Sequence, residues 1–166
     1  MADDEIAILT RRLSSATADE RAAAVEQLCH SGSAAAPAAT ALVQACGDDD
    51  DRVREWAVAA LEDLGAPPTD AISELTAIAA QGVPLATYWA ITLLGRAGEA
   101  AGSAASVLAG CLAAGDAAVA QRAAWALGKL GPAAAVARGR LATAAQAADP
   151  RLARLAAEAL EQLGPA

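Results

Sequence analysis

Apolar residues recur along most of the chain at the three- and four-residue spacing of a helix with one buried stripe, and the runs are cut at regular places by glycine or proline. Residues 53–64 show the pattern: Val53, Ala57, Ala60, Leu61 and Leu64 share one face, and Gly65 follows as the residue able to take a left-handed conformation and end the helix. After a break that carries Pro67 and Pro68, Ala71, Leu75, Ile78 and Ala79 resume the same spacing. The stretch predicts a helical hairpin, helix A followed by helix B.

The same skeleton returns without slippage. Glycines stand at 32, 65, 98, 131 and 164, a step of 33 residues each time. Four positions ahead of them lie Leu28, Leu61, Leu94, Leu127 and Leu160, and eight ahead lie Ala24, Ala57, Ala90, Ala123 and Ala156. Leu42, Leu75, Leu108 and Leu141 fall ten residues after the first four glycines, each with an alanine four positions before it (Ala38, Ala71, Ala104, Ala137). Several columns of one residue type require a repeated structural unit, and a hairpin this small buries its apolar face only against a neighbouring copy.

The expected organisation is a single domain over 1–166, with repeats at 17–49, 50–82, 83–115 and 116–148. Residues 1–16 hold a capping B helix with Leu9 and Leu13 facing inward, and 149–166 hold a capping A helix. Arg151, Arg154, Glu158, Glu161 and Gln162 form a polar stripe on that last helix, expected to face water. The fold class is all-α, an α-solenoid of antiparallel hairpins with about ten helices.

Composition agrees. Alanine occurs 52 times, aromatic residues make up 2%, and phenylalanine is absent, which favours helix over strand. No apolar run approaches the roughly 20 residues of a membrane span. Acids in MADDEIAILTRR stand where a secretory signal needs positive charge, so cytoplasmic localisation is expected. The net charge of -8 is uneven: residues 1–116 carry 17 acids and 6 bases, whereas residues 117–166 carry 3 acids and 6 bases. So few lysines and arginines argue against a nucleic-acid surface.

A period near 33 also suits ankyrin and tetratricopeptide repeats, but neither the TPLHxA turn nor the tetratricopeptide Trp, Gly and Tyr spacing is present. RVREWAVAALEDLG, AVAQRAAWALGKLG and RLARLAAEALEQLG instead resemble helix A of HEAT repeats, especially the short bacterial HEAT-like class first associated with phycobilisome lyases. The resemblance covers essentially the whole chain and implies a right-handed superhelix. Its implications for function are broad, since similar proteins include scaffolds, lyase subunits, a DNA glycosylase type and an iron hydroxylase.

Candidate chemistry is sparse. His30 is the one histidine and is followed by serine, which does not make the paired His-Glu motifs of the HEAT-like iron hydroxylases; a structural role is expected. Cys46 and Cys111 fall in core columns two repeats apart and are expected not to bridge, while Cys29 is expected at the surface. The run CGDDDDRVREW suggests calcium at first sight, but it lacks alternating ligands and a distant Glu. Asp50 aligns with Asp116 and Asp149 just ahead of helix A, where a carboxylate caps amide groups. No catalytic set, metal site or cofactor site is expected.

The tryptophans are more informative. Trp56 and Trp89 share a column flanking the core of helix A, whereas Trp125 falls in the column of Glu26 and Glu158, on the side a helical wheel turns outward. Outward columns nearby hold Leu85, Tyr88, Thr92, Gly95 and Gly128, with Arg96 and Lys129 at the edge; elsewhere that side carries Arg52, Glu55 and Glu62. Leu85, Tyr88, Thr92, Arg96, Trp125 and Lys129 therefore form a candidate protein-binding patch, open to a partner or to self-association. The alternative is that Trp125 lies over Tyr88 and the glycines. The outer side of the B helices, with Thr40, Gln44, Ser73, Ala77, Ser106, Gly110, Gly139 and Thr143, is small and neutral.

These features lead to a non-catalytic protein-interaction module or scaffold with a protein partner. The alternatives are an enzyme or enzyme subunit of the bilin-lyase type and, further off, a nucleic-acid-binding HEAT-like protein.

Overall fold

The computed structural model describes residues 2–165, with side chains from Asp4 onward. Every regular element among them is helical. The chain divides into two compact units, Met1–Ala71 and Ile72–Ala166.

The first unit contains α1 (Ala2–Arg12), α2 (Ala18–His30), α3 (Ala39–Ala45) and α4 (Asp51–Asp63). Helices α2 and α4 lie side by side, α1 packs along α2, and α3 packs along α4. Leu28, Leu42, Leu61 and Leu64 are fully enclosed. Ala24 and Ala57 are equally buried, since a methyl group is all that fits where two helix axes come close. Ile6 and Leu9 face inward from α1, but Leu13 lies just beyond the end of that helix and is half-buried.

The second unit contains α5 (Ile72–Gln81), α6 (Pro84–Ala97), α7 (Ala105–Cys111), α8 (Ala117–Leu130), α9 (Arg138–Ala144) and α10 (Pro150–Gln162). Helices α6, α8 and α10 stack in a row, with α5 along α6, α7 along α8 and α9 along α10. Leu75, Leu94, Leu108, Leu127 and Leu141 are completely buried, as the column pattern predicts. Leu160, on α10, is half-buried.

Each B helix lies along the A helix that follows it, through a short turn. The connection from A to B is longer than the sequence suggests. After the glycine, Gly32–Ala38, Gly98–Ala104 and Gly131–Ala137 each wind as 3-10 helix before the α-helix begins. In the second copy only Thr69–Ala71 does so, because Pro67 and Pro68 hold the residues before them away from helical backbone. The repeated glycines all have positive φ: 53° at Gly32, 79° at Gly65, 60° at Gly98, 57° at Gly131 and 77° at Gly164.

The starts of the A helices follow the expected chemistry. Asp50 accepts from the amides of Arg52 and Val53, Asp116 from Val119, and Asp149 from Arg151 and Leu152; Thr17 does the same for Glu20. Helix α6 is the exception, with Val83 at the cap and Pro84 in its first turn, where a missing N–H costs nothing.

Candidate functional site

Within the second unit, the side where α6, α8 and α10 lie next to one another carries an aromatic and cationic cluster. The Arg122 guanidinium on α8 sits 4.6 Å from the Tyr88 ring centroid and 5.1 Å from that of Trp125, and it donates a hydrogen bond to the Tyr88 hydroxyl. Tyr88 in turn meets Trp89 edge-on, with centroids 5.6 Å apart. Such stacking attracts the cation to the ring faces and fixes the plane of the guanidinium.

Trp125 lies across Gly95 of the preceding A helix. A Cβ added at Gly95 would collide with the ring, standing 3.0 Å from its Cε3 and 3.1 Å from Ala126 Cα. Gly128 makes an equivalent notch in the next A helix, where Gln162 and Ala159 of α10 come down on it. Beside Trp125, a cavity of about 150 Å³ opens between Tyr88, Ala118, Gln121, Arg122, Trp125, Arg151 and Leu155.

The predicted patch is only partly at the surface. Leu85 is 38% exposed, Lys129 is exposed, and Tyr88 and Trp125 are half-buried. Arg96 lies with its guanidinium 5.9 Å from the Trp89 ring centroid. Thr92 does not belong to the patch: it is 3% exposed, and its hydroxyl donates to the Tyr88 carbonyl at 2.8 Å. Gly95 and Gly128 are buried too. A helical wheel assumes one core per helix, whereas each A helix here packs against A helices as well as B helices, so some of its apparent outer side is contact surface.

Trp125 therefore does lie over a glycine, and it still keeps some of its ring open. Sequence reasoning missed Arg122, Arg151 and Leu155. The one signal for Arg122 was a cation in the column that holds Trp56 and Trp89.

The other candidates resolve as structural groups. His30 packs against Trp56 with ring centroids 5.7 Å apart. Three of the four aspartates in the run pair with arginines: Asp48 receives Arg21 through Nε at 2.7 Å and Nη2 at 2.8 Å, Asp50 pairs with Arg52 at 3.1 Å, and Asp51 pairs with Arg54. Hydrogen bonding from Arg21 holds the Asp48 carboxyl below the usual range, and Arg52 does the same for Asp50.

Burial pushes the Cys46 thiol up to about 12 and raises Cys111 as well; Cys29, half-buried and not exposed as expected, is raised by burial and by Asp63, Glu26 and Glu62. None is set up as a thiolate. Among the described residues no three His, Cys, Asp or Glu side chains gather as a metal site. The small, neutral B side of the second unit bears a shallow cleft of about 600 Å³ beside Ser106, Val107 and Gly110. No helix is long and apolar enough to cross a membrane among the described residues.

The family profile described as HEAT repeats matches residues 6–95. A crystal structure of an engineered protein is similar over 96% of this chain and 79% of its own, with 20% identity and a TM-score of 0.66. A designed armadillo repeat protein in complex with the peptide (KR)4 is similar over 95% of this chain and 81% of its own, at 18% identity and a TM-score of 0.65. The complex of CpcE and CpcF of phycocyanin lyase from Nostoc sp. PCC7120 aligns over 95% of this chain and 98% of the matched one, at 18% identity and a TM-score of 0.61. These likenesses show the fold, an α-solenoid of helical repeats. A search of curated proteins by sequence finds no match.

Proposed function

The chain belongs to the HEAT repeat family, and from that premise we propose that it is a non-catalytic protein-binding module or scaffold of the cytoplasm. The observation that carries the reading is the cluster of Tyr88, Arg122 and Trp125, flanked by exposed Leu85 and Lys129. Tyr, Trp and Arg are the residue types that anchor protein interfaces, because each offers a large rigid face with a polar edge. Here they are already ordered by stacking, so docking costs little side-chain entropy. Burial raises all three thiols, so none is poised as a nucleophile.

The test is affinity capture with mass spectrometry, combined with sedimentation, on the wild type and on Tyr88→Ala and Trp125→Ala. Loss of about tenfold or more in the capture of specific partners, or a shift in oligomeric state, is the expected outcome. If partners and oligomeric state both stay the same, the face is packing only.

The likeness to the CpcE–CpcF complex supports a second reading, a subunit of a bilin-lyase-type enzyme. Visible absorbance from a co-purified or added bilin would carry it, and a protein that takes up no bilin removes it.

A further inference from the structure

We propose that the cavity between Tyr88, Arg122, Trp125, Arg151 and Leu155 receives a side-chain carboxylate from an acidic segment of a partner protein. The inference rests on the protein-binding reading and specifies the chemistry of the partner.

The first ground is the distribution of counter-ions. Arg21 is paired with Asp48, Arg52 with Asp19 and Asp50, Arg54 with Asp51, and Arg154 with Glu158. Arg138 donates to the carbonyls of Gly164 and Pro165. Arg122, half-buried, has two aromatic rings and a phenol oxygen but no carboxylate, and Arg151, which lines the same cavity, forms no ion pair among the described residues, as is also true of exposed Arg140. Acids are not scarce in a chain that has 20 of them against 12 bases. Asp149, whose charge acts on Arg151, is already engaged by Gln121 at 2.7 Å and by the two amides it caps.

The second ground is orientation. The Arg122 guanidinium is held over the Tyr88 and Trp125 rings, and Tyr88 takes one of its N–H groups, leaving others to donate. A guanidinium confined in this way, with N–H groups still unspent, suits the two-pronged recognition of a carboxylate. Tyr88, Trp125 and Leu155 form low-dielectric walls, where an ion pair is less screened than on open surface. A volume of about 150 Å³ equals roughly five waters' share of liquid, room for a carboxylate and its nearest methylenes. Leu85, on the same helix as Tyr88 and 38% exposed, offers an apolar contact outside the cavity. The segment from 117 to 166, with 6 bases against 3 acids, is the stretch of the chain whose field attracts an anion.

The test is an NMR titration that follows the indole N–H signal of Trp125, assigned by loss in Trp125→Phe. The probe is a blocked octapeptide of alternating Glu and Leu, with the Lys-Leu peptide as control. A saturable shift with the acidic peptide and none with the basic one is expected, weakening as salt rises from about 50 to about 500 mM. Arg122→Gln and Arg151→Gln should each weaken binding about tenfold, the size expected of a charge-assisted contact. Arg151 is exposed, so its substitution tests the cavity even if Arg122→Gln disturbs the packing, which circular dichroism would reveal.

No saturable shift, or an identical shift in both variants, overturns the proposal. If the peptide is silent while Trp125→Ala still loses its partners, the carboxylate assignment fails and the protein-binding reading stands. If the peptide binds and the captured partners ignore Trp125→Ala, the cavity is confirmed as a carboxylate site and that reading falls. Should the acidic peptide instead dissociate a dimer of the chain, the occupant is a second copy and the partner assignment is overturned.

Discussion

Gly98 and Gly131 hold φ at 60° and 57° with ψ at -138° and -137°, the backbone of the first corner of a type II′ turn. A side chain there meets its own backbone, whatever space surrounds it. Gly131→Ala is expected to cost about 1 to 3 kcal/mol in a thermal melt. Gly139, inside α9 with nothing within 4 Å of an added Cβ, should behave in the opposite way: Gly139→Ala should gain up to about 1 kcal/mol. The positions of the helix-ending glycines were legible from their period alone. Thr92 was not, because its burial comes from a neighbouring helix that no pattern within its own helix reports, and Arg122 was hidden because its column otherwise holds Trp, Ala and Leu.

At the level of the helix, the starts were readable and the connections were not. An aspartate ahead of a 3.6-residue pattern has one obvious use, and Asp50, Asp116 and Asp149 put it to that use. The seven-residue 3-10 segments could not be foreseen, since alanine-rich sequence accepts either winding and tertiary packing decides. The long-range pair of Arg21 and Asp48 was equally silent, although it ties α2 to the turn before α4.

Its consequence is acid sensitivity. Asp48 is held below its ordinary value by Arg21, Asp50 by Arg52 and Asp149 by Gln121, so each favours the folded state when ionised. That contribution is whole above the unfolded carboxylate value near pH 4 and is lost as pH falls through the lowered folded values. Melting temperature should thus be level from about pH 7 to 5 and drop below about pH 4, and Asp48→Asn should lower the plateau and flatten the acid limb. An unchanged acid limb in that variant would show that Arg21 and Asp48 do not govern it.

For the molecule as a whole, the 33-residue period established a shared core, and the structure adds which helices share it most closely. Within each unit the A helices lie closest to one another, and each B helix lies along the A helix that follows it, α1 on α2 and α9 on α10 included. The boundary between the compact units falls between Ala71 and Ile72, where one such pair ends and the next begins. Leu94 and Leu127, each fully enclosed, should cost about 2 to 5 kcal/mol when cut to alanine, read from chemical denaturation. Leu160→Ala, at a half-buried site, should cost clearly less.

The notch at Gly95 that seats Trp125 also bears on how such a chain can lengthen. Gly128 occupies the equivalent place one period later, so a tandem duplicate of the segment containing Trp125 would find a seat already cut for its indole. The same segment spliced in behind the second copy would face Glu62. A copy placed in tandem is therefore accommodated at Gly128, while a shuffled order meets a steric veto at Glu62.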